Sequence, residues 1–388
     1  MLLSPSLNDM SNIETVMRAL EAQDASEREA GLPSAQRMRA LVPEAGRFIH
    51  IVIRAMRARR ILEIGTSYGY STLWLASAAQ AHGGRVETLE LDAARVAAAR
   101  EYFARAGLSD VITQHQGDAR QIIPTLGDDF DFIFVDAEKD DYEDYLALTL
   151  DKVVRDGLIM ADNVLSHADQ LQHYSDKAQH TPGLLSVTVP VGRGEEMSLR
   201  VGDMALPPEV VAALAEAEIY AKSHPGTTIA RTLGKFLYML ARAAHARSVL
   251  LLSASTTVAG LWLGAAMQAT GGRLVAVEQD RSEAKRAGET FAKARLASRI
   301  SIAPGKALDV LPTLDRAFDF VCLDAGQADH VACIEALWPK LSPNGLILAN
   351  RRKDTANRYI QHMQSRADAL SVTLPFASSL ELTLKSEI

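Results

Sequence analysis

The sequence predicts two α/β domains in tandem, each a doubly wound, mainly parallel β-sheet that ends in an antiparallel hairpin. The chain has 388 residues, enough for two domains of ordinary size. Short apolar runs alternate with segments of helical periodicity, as in a sheet covered by helices on both faces. The whole pattern then recurs once along the chain, which indicates two copies of one domain.

An internal repeat relates the two halves of the chain. Residues 58–163 align with residues 246–351 at a constant offset of 188, and 38 of these 106 positions are identical. This level of identity without a gap indicates a common origin, and the period is too long for a solenoid. We therefore predict a first domain over residues 1–205 and a second over residues 206–388.

Helices and strands alternate in order along the first copy. Apolar residues recur at helical spacing in four segments, at 13–20, 44–57, 72–81 and 93–106. Short apolar runs predict four buried strands, at 61–64, 85–90, 132–135 and 158–161. Residues 185–191 and 197–201, joined through Gly192 and Gly194, predict an antiparallel hairpin at the sheet edge.

Composition and charge exclude several classes of partner. The net charge is -7 and no block of Lys and Arg stands out, so we expect no nucleic-acid partner. Cys322 and Cys333 lack metal-ligand spacing, which favours a reducing compartment without disulfides. Residues 1–10 lack the pattern of a signal peptide, so we expect a cytoplasmic protein.

Serines and threonines interrupt the uncharged segment 248–272, which predicts a strand, a turn and a helix rather than a membrane span.

Ligands of doubly wound sheets bind at the carboxyl ends of the strands, so the polar residues there are candidates for chemistry. Gly65 and Gly69 follow the first strand and let a ligand approach the backbone, although they would also suit a plain tight turn. Their spacing differs from the Gly-x-Gly-x-x-Gly of dinucleotide-binding proteins. Glu90 ends the second strand and could accept two ribose hydroxyls or be a surface carboxylate. Residues 117–119, after the third strand, could form a wall for a purine ring.

A second group of polar residues follows the fourth and fifth strands. Asp136 ends the fourth, and Asp162 and Asn163 end the fifth, so three hard oxygen ligands meet on one side of a cleft, as Mg²⁺ prefers. Lys139 lies three residues past Asp136. An ammonium group beside a dication loses its proton more readily, so Lys139 could act as a base; an ordinary Asp–Lys surface pair is the alternative.

Together these motifs resemble the cation-dependent, S-adenosylmethionine-dependent O-methyltransferases, the group of catechol and caffeoyl-CoA O-methyltransferases and their bacterial relatives. The matching motifs are Glu63-x-Gly65-Thr66-Ser67-x-Gly69-Tyr70-Ser71, Glu90, Asp136-Ala-Glu-Lys139 and Asp162-Asn163. The resemblance covers about residues 41–201 and implies a Rossmann-like methyltransferase fold, which the repeat extends to the second copy. The paired Asp-Ala-x-Lys and Asp-Asn motifs are specific, whereas the glycine turn is not.

The resemblance implies a role for each matching residue. The cofactor would be bound by Glu63 and Gly65 at its methionine part, Ser71 at its carboxylate, Glu90 at its ribose and Ala119 near its adenine, with Thr66 and Asp136 also in contact. The divalent cation, Mg²⁺ or another, would be held by Asp136, Asp162 and Asn163, and Lys139 would be the base. The implied reaction moves a methyl group to a hydroxyl of a catechol-like or other small phenolic acceptor that the metal activates.

The second copy lacks most of these residues. At the offset of 188, several chemistry-bearing positions change: Glu63 to Leu251, Gly65 to Ser253, Gly69 to Thr257, Ser71 to Ala259, Lys139 to Gln327, Asp162 to Asn350 and Asn163 to Arg351. Only Asp324 and Glu278 keep the acids of Asp136 and Glu90. We therefore predict a degenerate, inactive second domain. It could pair with the first as an intramolecular pseudo-dimer, or the chain could form a homodimer.

Other interpretations remain open at this point. The acceptor could be a larger acyl or natural-product phenol, or the chain could be a non-catalytic cofactor-binding regulatory or scaffold protein. The second alternative is disfavoured because the metal set and Lys139 are complete in the first copy. Glu195 and Glu196, which the pattern places in the hairpin loop, could contact the substrate or be solvated. The segments 32–43 and 166–183, which would select the substrate, carry no readable pattern.

Overall fold

A computed structural model of the chain describes residues 7–33, 36–202, 206–224, 229–253, 256–323, 329–350, 356–376 and 380–386. The chain divides into two compact units, Met1–Gly202 and Asp203–Ile388. Three positions used to compare the copies, Asp324, Gln327 and Arg351, lie outside the described residues.

The first unit is built on a seven-stranded sheet. Its strands are β1 (Arg60–Ile64), β2 (Arg85–Glu90), β3 (Ile112–Gln116), β4 (Phe130–Val135), β5 (Val153–Ala161), β6 (Leu184–Val189) and β7 (Glu195–Arg200). Their order is β3-β2-β1-β4-β5-β7-β6, and β7 runs antiparallel to both of its neighbours. The sheet therefore reverses its direction of winding between β1 and β4, where doubly wound folds bind their ligands.

Seven helices of the described first unit flank or precede this sheet. They are α1 (Leu7–Glu29), α2 (Pro43–Met56), α3 (Tyr70–Gln80), α4 (Ala93–Arg105), α5 (Ala119–Ile122), α6 (Tyr142–Thr149) and α7 (Ala168–His180). Pro43 suits the first turn of α2, where no backbone N–H is needed. The Asp92 carboxylate caps α4 by accepting hydrogen bonds from the backbone N–H groups of Ala94 and Arg95, at 2.7 and 3.1 Å.

Two strands begin earlier than the apolar pattern predicts. β4 begins at Phe130 and β5 at Val153, and their register shifts between Phe130, which pairs with Val153, and Phe132, which pairs with Leu158. A bulge on β5 accounts for the shift, because Asp156 has a φ of 65° beside Gly157. The apolar pattern finds only the part of β5 that follows this bulge.

The placement of Glu195 and Glu196 in the hairpin loop was wrong. Both residues belong to β7, and both are fully buried. The Glu196 carboxylate accepts hydrogen bonds from Thr188 Oγ1 at 2.6 Å and from Gln179 Nε2 at 3.0 Å. These neighbours come from β6 and α7, so the sequence around the glutamates gives no sign that their charges can be buried.

The second unit repeats this architecture. Its strands are β8 (Ser248–Leu252), β9 (Arg273–Glu278), β10 (Ile300–Pro304), β11 (Phe318–Leu323), β12 (Leu341–Asn350), β13 (Ala369–Leu374) and β14 (Leu380–Lys385), in the order β10-β9-β8-β11-β12-β14-β13. Its helices are α8 (Pro208–Ser223), α9 (Arg231–Ala243), α10 (Thr256–Thr270), α11 (Arg281–Lys293), α12 (Ala307–Val310), α13 (His330–Leu337) and α14 (Ala356–Gln364). The predicted fold class is confirmed in both units.

Packing of a helix on a tryptophan is also duplicated. A Cβ atom added to Gly46 in α2 would lie 2.7 Å from Cε2 of Trp74, and one added to Gly234 in α9 would lie 2.7 Å from Cε2 of Trp262. The offset of 188 thus extends upstream of the aligned segment.

The uncharged segment 248–272 forms β8 and α10, and no described helix is long and apolar enough to cross a bilayer.

Candidate active site

The turn after β1 brings the ends of two central strands together. Gly65 has a φ of 103°, and a Cβ atom there would lie 2.8 Å from the carbonyl carbon of Asp136 and closer still to its oxygen. A side chain cannot fit, because β1 and β4 are hydrogen-bonded neighbours whose last residues are Ile64 and Val135. Glycine at 65 is therefore needed to set Asp136 beside the turn.

Two cavities adjoin this turn, each with a volume of about 380 Å³. The first, called here the Lys139 cavity, extends over the turn towards Lys139 and Asn163. The second, called the Glu90 cavity, extends towards the ends of β2 and β3. Gly65 and Asp136 line both, so the cavities meet at the ends of β1 and β4.

Most of the predicted site residues line one of these cavities. The Lys139 cavity is lined by Gly65, Thr66, Ser71, Asp136, Lys139 and Asn163. The Glu90 cavity is lined by Gly65, Glu90, Ala119 and Asp136. Asp162 and Glu63 line neither, because they are 2% and 0% exposed.

Asp162 lies directly behind Asn163 at the end of β5. Its carboxylate accepts hydrogen bonds from the backbone N–H of Asn163 at 2.6 Å and from Asn163 Nδ2 at 2.9 Å. Burial, and then the charge of Asp136, raise the pKa of Asp162 to about 7. The strand ends therefore bring two carboxylates close enough to repel each other, with an amide beside them.

Lys139 connects the ends of β4 and β5 through a tyrosine. Its Nζ donates a hydrogen bond to Asp136 Oδ1 at 3.1 Å and to Tyr142 Oη at 2.7 Å. Tyr142 Oη in turn donates to the backbone carbonyl of Asp162 at 3.3 Å. Sequence reasoning missed Tyr142, although it lies three residues after Lys139 at the start of α6.

Glu195 is a second acid that sequence reasoning did not place at the site. It is fully buried at the start of β7, and its carboxyl group lies within hydrogen-bonding reach of the Asp162 carboxyl group. Burial, and then the Asp162 carboxylate, raise the pKa of Glu195 well above its usual range. Within the described parts of the chain, no three His, Cys, Asp or Glu side chains form a metal cluster, so the predicted set depends on the amide of Asn163.

Glu63 and Glu90 differ in their surroundings. Glu63 lies beneath the turn, where its Oε2 accepts hydrogen bonds from Thr72 Oγ1 at 2.5 Å and Thr88 Oγ1 at 2.6 Å, and burial raises its pKa to about 7. Glu90 faces its cavity and accepts hydrogen bonds from the backbone N–H groups of Ser67 at 2.8 Å and Asp92 at 3.0 Å. These bonds fix the Glu90 carboxylate while leaving it further acceptor capacity.

The corresponding place in the second unit is small and mostly apolar. A cavity of about 10 Å³ is lined there by residues that include Leu233, Ser253, Ala259, Asn350 and Leu380. Ser253, Ala259 and Asn350 stand where the first unit has Gly65, Ser71 and Asp162. The described residues of this unit therefore leave little space at the counterpart of the Lys139 cavity. A cavity of about 810 Å³, lined by residues that include Asp280 and Gly305, lies at the counterpart of the Glu90 cavity.

Comparison with known proteins gives matches in both halves. A family model described as O-methyltransferase matches residues 21–190, and one described as Methyltransferase domain matches residues 258–350. The catechol O-methyltransferase of Niastella koreensis is 38% identical over 162 residues, which are 40% of this chain and 71% of that protein. That of Mycobacterium tuberculosis is 38% identical over 148 residues, 38% of this chain and 63% of that protein.

One solved structure is also among the similar proteins. The crystal structure of the O-methyltransferase TomG from Streptomyces achromogenes, in complex with SAM, shares 29% identity; it covers 47% of this chain and 90% of its own, with a TM-score of 0.42. The identity to the Niastella koreensis enzyme over most of that enzyme's length agrees with the family model for residues 21–190. The prediction of the enzyme class is confirmed, and the chain belongs to the O-methyltransferase family.

Proposed function

We propose that the first unit transfers a methyl group from S-adenosylmethionine to a hydroxyl of a catechol-like or other small phenolic acceptor, with a divalent cation at Asp136, Asp162 and Asn163. One observation carries this proposal: Asp136, Lys139 and Asn163 meet on one cavity that also contains the glycine turn. Two of the similar proteins are catechol O-methyltransferases, which agrees with this acceptor class.

The surroundings of Asp162 fit a bound cation. Two carboxylates and an amide are the hard oxygen ligands that Mg²⁺ prefers. Burial and Asp136 raise the pKa of Asp162 to about 7, and Glu195 adds a third acid behind it, so positive charge at this place would relieve their repulsion. A divalent cation bound there stabilises the phenolate form of the acceptor hydroxyl.

The two cavities together fit a long cofactor. Gly65 and Ser71 would contact its methionine part in the Lys139 cavity, and Glu90 and Ala119 would contact its nucleoside in the Glu90 cavity. S-adenosylmethionine supplies the methyl group. Glu63 is buried beneath the turn, so it would contribute to cofactor binding indirectly. Its carboxylate accepts hydrogen bonds from Thr72 in α3 and Thr88 in β2 and would hold these segments around the cofactor.

Lys139 would receive the proton of the acceptor hydroxyl when its amino group is neutral. Asp136 and Tyr142 orient Nζ by hydrogen bonds at 3.1 and 2.7 Å. The Lys139 side chain is 14% exposed, so bulk water competes little for this nitrogen. The chain thus holds the base beside the proposed metal ligands, which is where a coordinated hydroxyl would lie.

Methyl transfer from labelled S-adenosylmethionine to catechol tests the proposal, with Mg²⁺ and with EDTA. We expect activity that EDTA abolishes and excess Mg²⁺ restores. Asp162→Asn, which introduces the residue of the second copy, should remove the activity, whereas Asp151→Asn, at a side chain that is 93% exposed, should not. Activity that persists unchanged in EDTA would eliminate the metal from the mechanism.

We also propose that the second unit, residues 206–388, is inactive. The support is the cavity of about 10 Å³ that Leu233, Ser253 and Leu380 help to fill, together with Ala259 and Asn350 at positions of predicted chemistry. The homodimer or intramolecular pairing of the two copies stays a prediction, and small-angle scattering by the full chain would test it.

A further inference from the structure

Most of the charged side chains that line the Lys139 cavity are basic. Among the described residues, its lining contains five basic side chains, Arg28, Arg37, Arg39, Lys139 and Arg193. Asp136 is the one carboxylate among the described residues of the same lining. A cavity with such a charge favours a negatively charged ligand.

Three of these cations are already paired. Arg28 lies 2.6 Å from Asp24, Arg39 lies 2.9 Å from Glu138, and Lys139 bonds to Asp136. Arg37 and Arg193 form no ion pair within the described residues, and the buried Nε of Arg37 has no hydrogen-bond partner there. Two partly buried guanidinium groups thus stay available to a ligand.

Arg193 is held at the proposed acceptor end of the cavity. It lies in the turn between β6 and β7, and its backbone carbonyl accepts hydrogen bonds from the N–H groups of Leu165 at 3.1 Å and Ser166 at 3.0 Å. Val164 N–H donates to the carbonyl of Gly194 at 3.0 Å. These bonds fasten the turn to the segment that directly follows Asn163, a proposed metal ligand.

Arg37 is positioned by a different segment. The next residue, Met38, donates its backbone N–H to Glu27 at 2.6 Å and accepts a hydrogen bond from Ser67 Oγ at 2.9 Å. The backbone at Arg37 is therefore held between α1 and the glycine turn.

The second copy has lost the arginine of the hairpin turn. β6 and β7 correspond to β13 and β14 at an offset of 185, so Pro-Val-Gly-Arg-Gly at 190–194 aligns with Pro-Phe-Ala-Ser-Ser at 375–379. Along the hairpin, the bond from Thr188 to Glu196 recurs from Thr373 to Glu381. The structural pair is kept, whereas Arg193 disappears together with the proposed metal and cofactor residues.

On the basis of the proposed function, we infer that the phenolic acceptor carries a carboxylate and that Arg193 and Arg37 bind it. Asp136 and Asp162 would balance the divalent cation, so neither acid is left to pair with the two guanidinium groups, and a neutral phenol would leave them without a counter-ion. A carboxylate can accept paired hydrogen bonds from an arginine, which also orients the ring.

Equilibrium binding tests this inference without turnover. Calorimetry on the full chain with Mg²⁺ and S-adenosylhomocysteine would compare 3,4-dihydroxybenzoate with its methyl ester, which keeps the catechol and removes the charge. We expect the acid to bind about tenfold or more tightly, as for a hydrogen bond between charged groups. Arg193→Gln and Arg37→Gln should each reduce this ratio, Arg193→Lys should reduce it less, and exposed Arg155→Gln should leave it unchanged.

Several outcomes would overturn the inference. Equal affinities of acid and ester for the wild type would do so, as would an unchanged ratio in folded Arg193→Gln and Arg37→Gln proteins, checked by circular dichroism. A weaker affinity for S-adenosylmethionine with an unchanged ratio would assign the arginines to the cofactor instead. If the acid binds more tightly through Arg193 but neither compound is methylated, the proposed function fails and the inference about the ligand stands.

Discussion

Replacement of Gly65 by alanine tests whether the close approach of β1 to β4 builds the site. The added Cβ would lie 2.8 Å from the carbonyl carbon of Asp136 and 3.2 Å from Cα of Ala137. Both neighbours are backbone atoms directly after the end of the central strand β4, so they cannot turn away as a flexible side chain could. We expect Gly65→Ala to push the end of β4 aside and to displace Asp136.

Two contributions set the magnitude. An L-residue at a φ of 103° costs about 1–2 kcal/mol in backbone strain. Forcing a methyl group into packed backbone costs about 1–3 kcal/mol more. We therefore expect the free energy of unfolding of the first unit to fall by about 2–5 kcal/mol.

Gly107→Ala is the matched control, because Gly107 has a φ of 72° and no atom within 4 Å of an added Cβ. It carries the strain without the clash, and both variants gain equally from a stiffer unfolded chain. Hydrogen exchange in peptides of β1 and β4, measured on the full chain, reports the unfolding free energy of this unit. If Gly65→Ala protects these peptides as well as Gly107→Ala does, the clash does not matter and the reasoning is refuted.

Three further predictions concern charge, catalysis and stoichiometry. Because burial raises the pKa of Glu63 to about 7 in the folded state, this carboxyl group should cost the first unit up to about 3 kcal/mol of stability as pH rises from about 4.5 through 7. Asp162, whose pKa is also raised to about 7, adds a loss of the same sign, so Glu63→Gln should make the loss in urea titrations shallower without removing it. An equally steep loss in the variant would contradict the assignment. Lys139→Gln should lower kcat by about 100-fold or more, because it removes the proposed base. The control Lys177→Gln breaks an exposed ion pair with Glu143 and should leave kcat unchanged. Full turnover by Lys139→Gln would exclude this residue as the base. Calorimetric titration of the full chain with S-adenosylmethionine should give one binding site per chain, and two sites would show that the second unit binds the cofactor.

The position of the candidate site in the fold could be predicted from the sequence because it depends on local signals. Buried parallel strands are continuous apolar runs, so the polar residues that follow them mark the ends of the strands. Asp136 follows Val135 and Asp162 follows Ala161, and those two residues pair in the sheet. Neighbouring parallel strands end at one edge, which brings the two acids together without further information.

Other parts of the site depend on contacts between distant segments. Arg193 reaches the site because its turn bonds to residues 164–166, and no local pattern reports such a bond. The sequence pattern placed Glu195 in the hairpin loop because a charged residue normally marks the end of a strand. In the structure the Glu195 side chain is buried in β7 beside Asp162, and both effects raise its pKa. The bulge in β5 likewise depends on the pairing of Phe130 with Val153 across the sheet.

The small cavity at the counterpart of the Lys139 cavity would make the proposed loss of chemistry in the second unit hard to reverse in evolution. Restoring an acid at Asn350 and a hydroxyl at Ala259 would return reactive groups to a space of about 10 Å³. Leu233 and Ser253 fill that space where the first unit has Ala45 and Gly65, so room would have to be regained at the same time. Restoration of the chemistry in the second unit would therefore need several substitutions together.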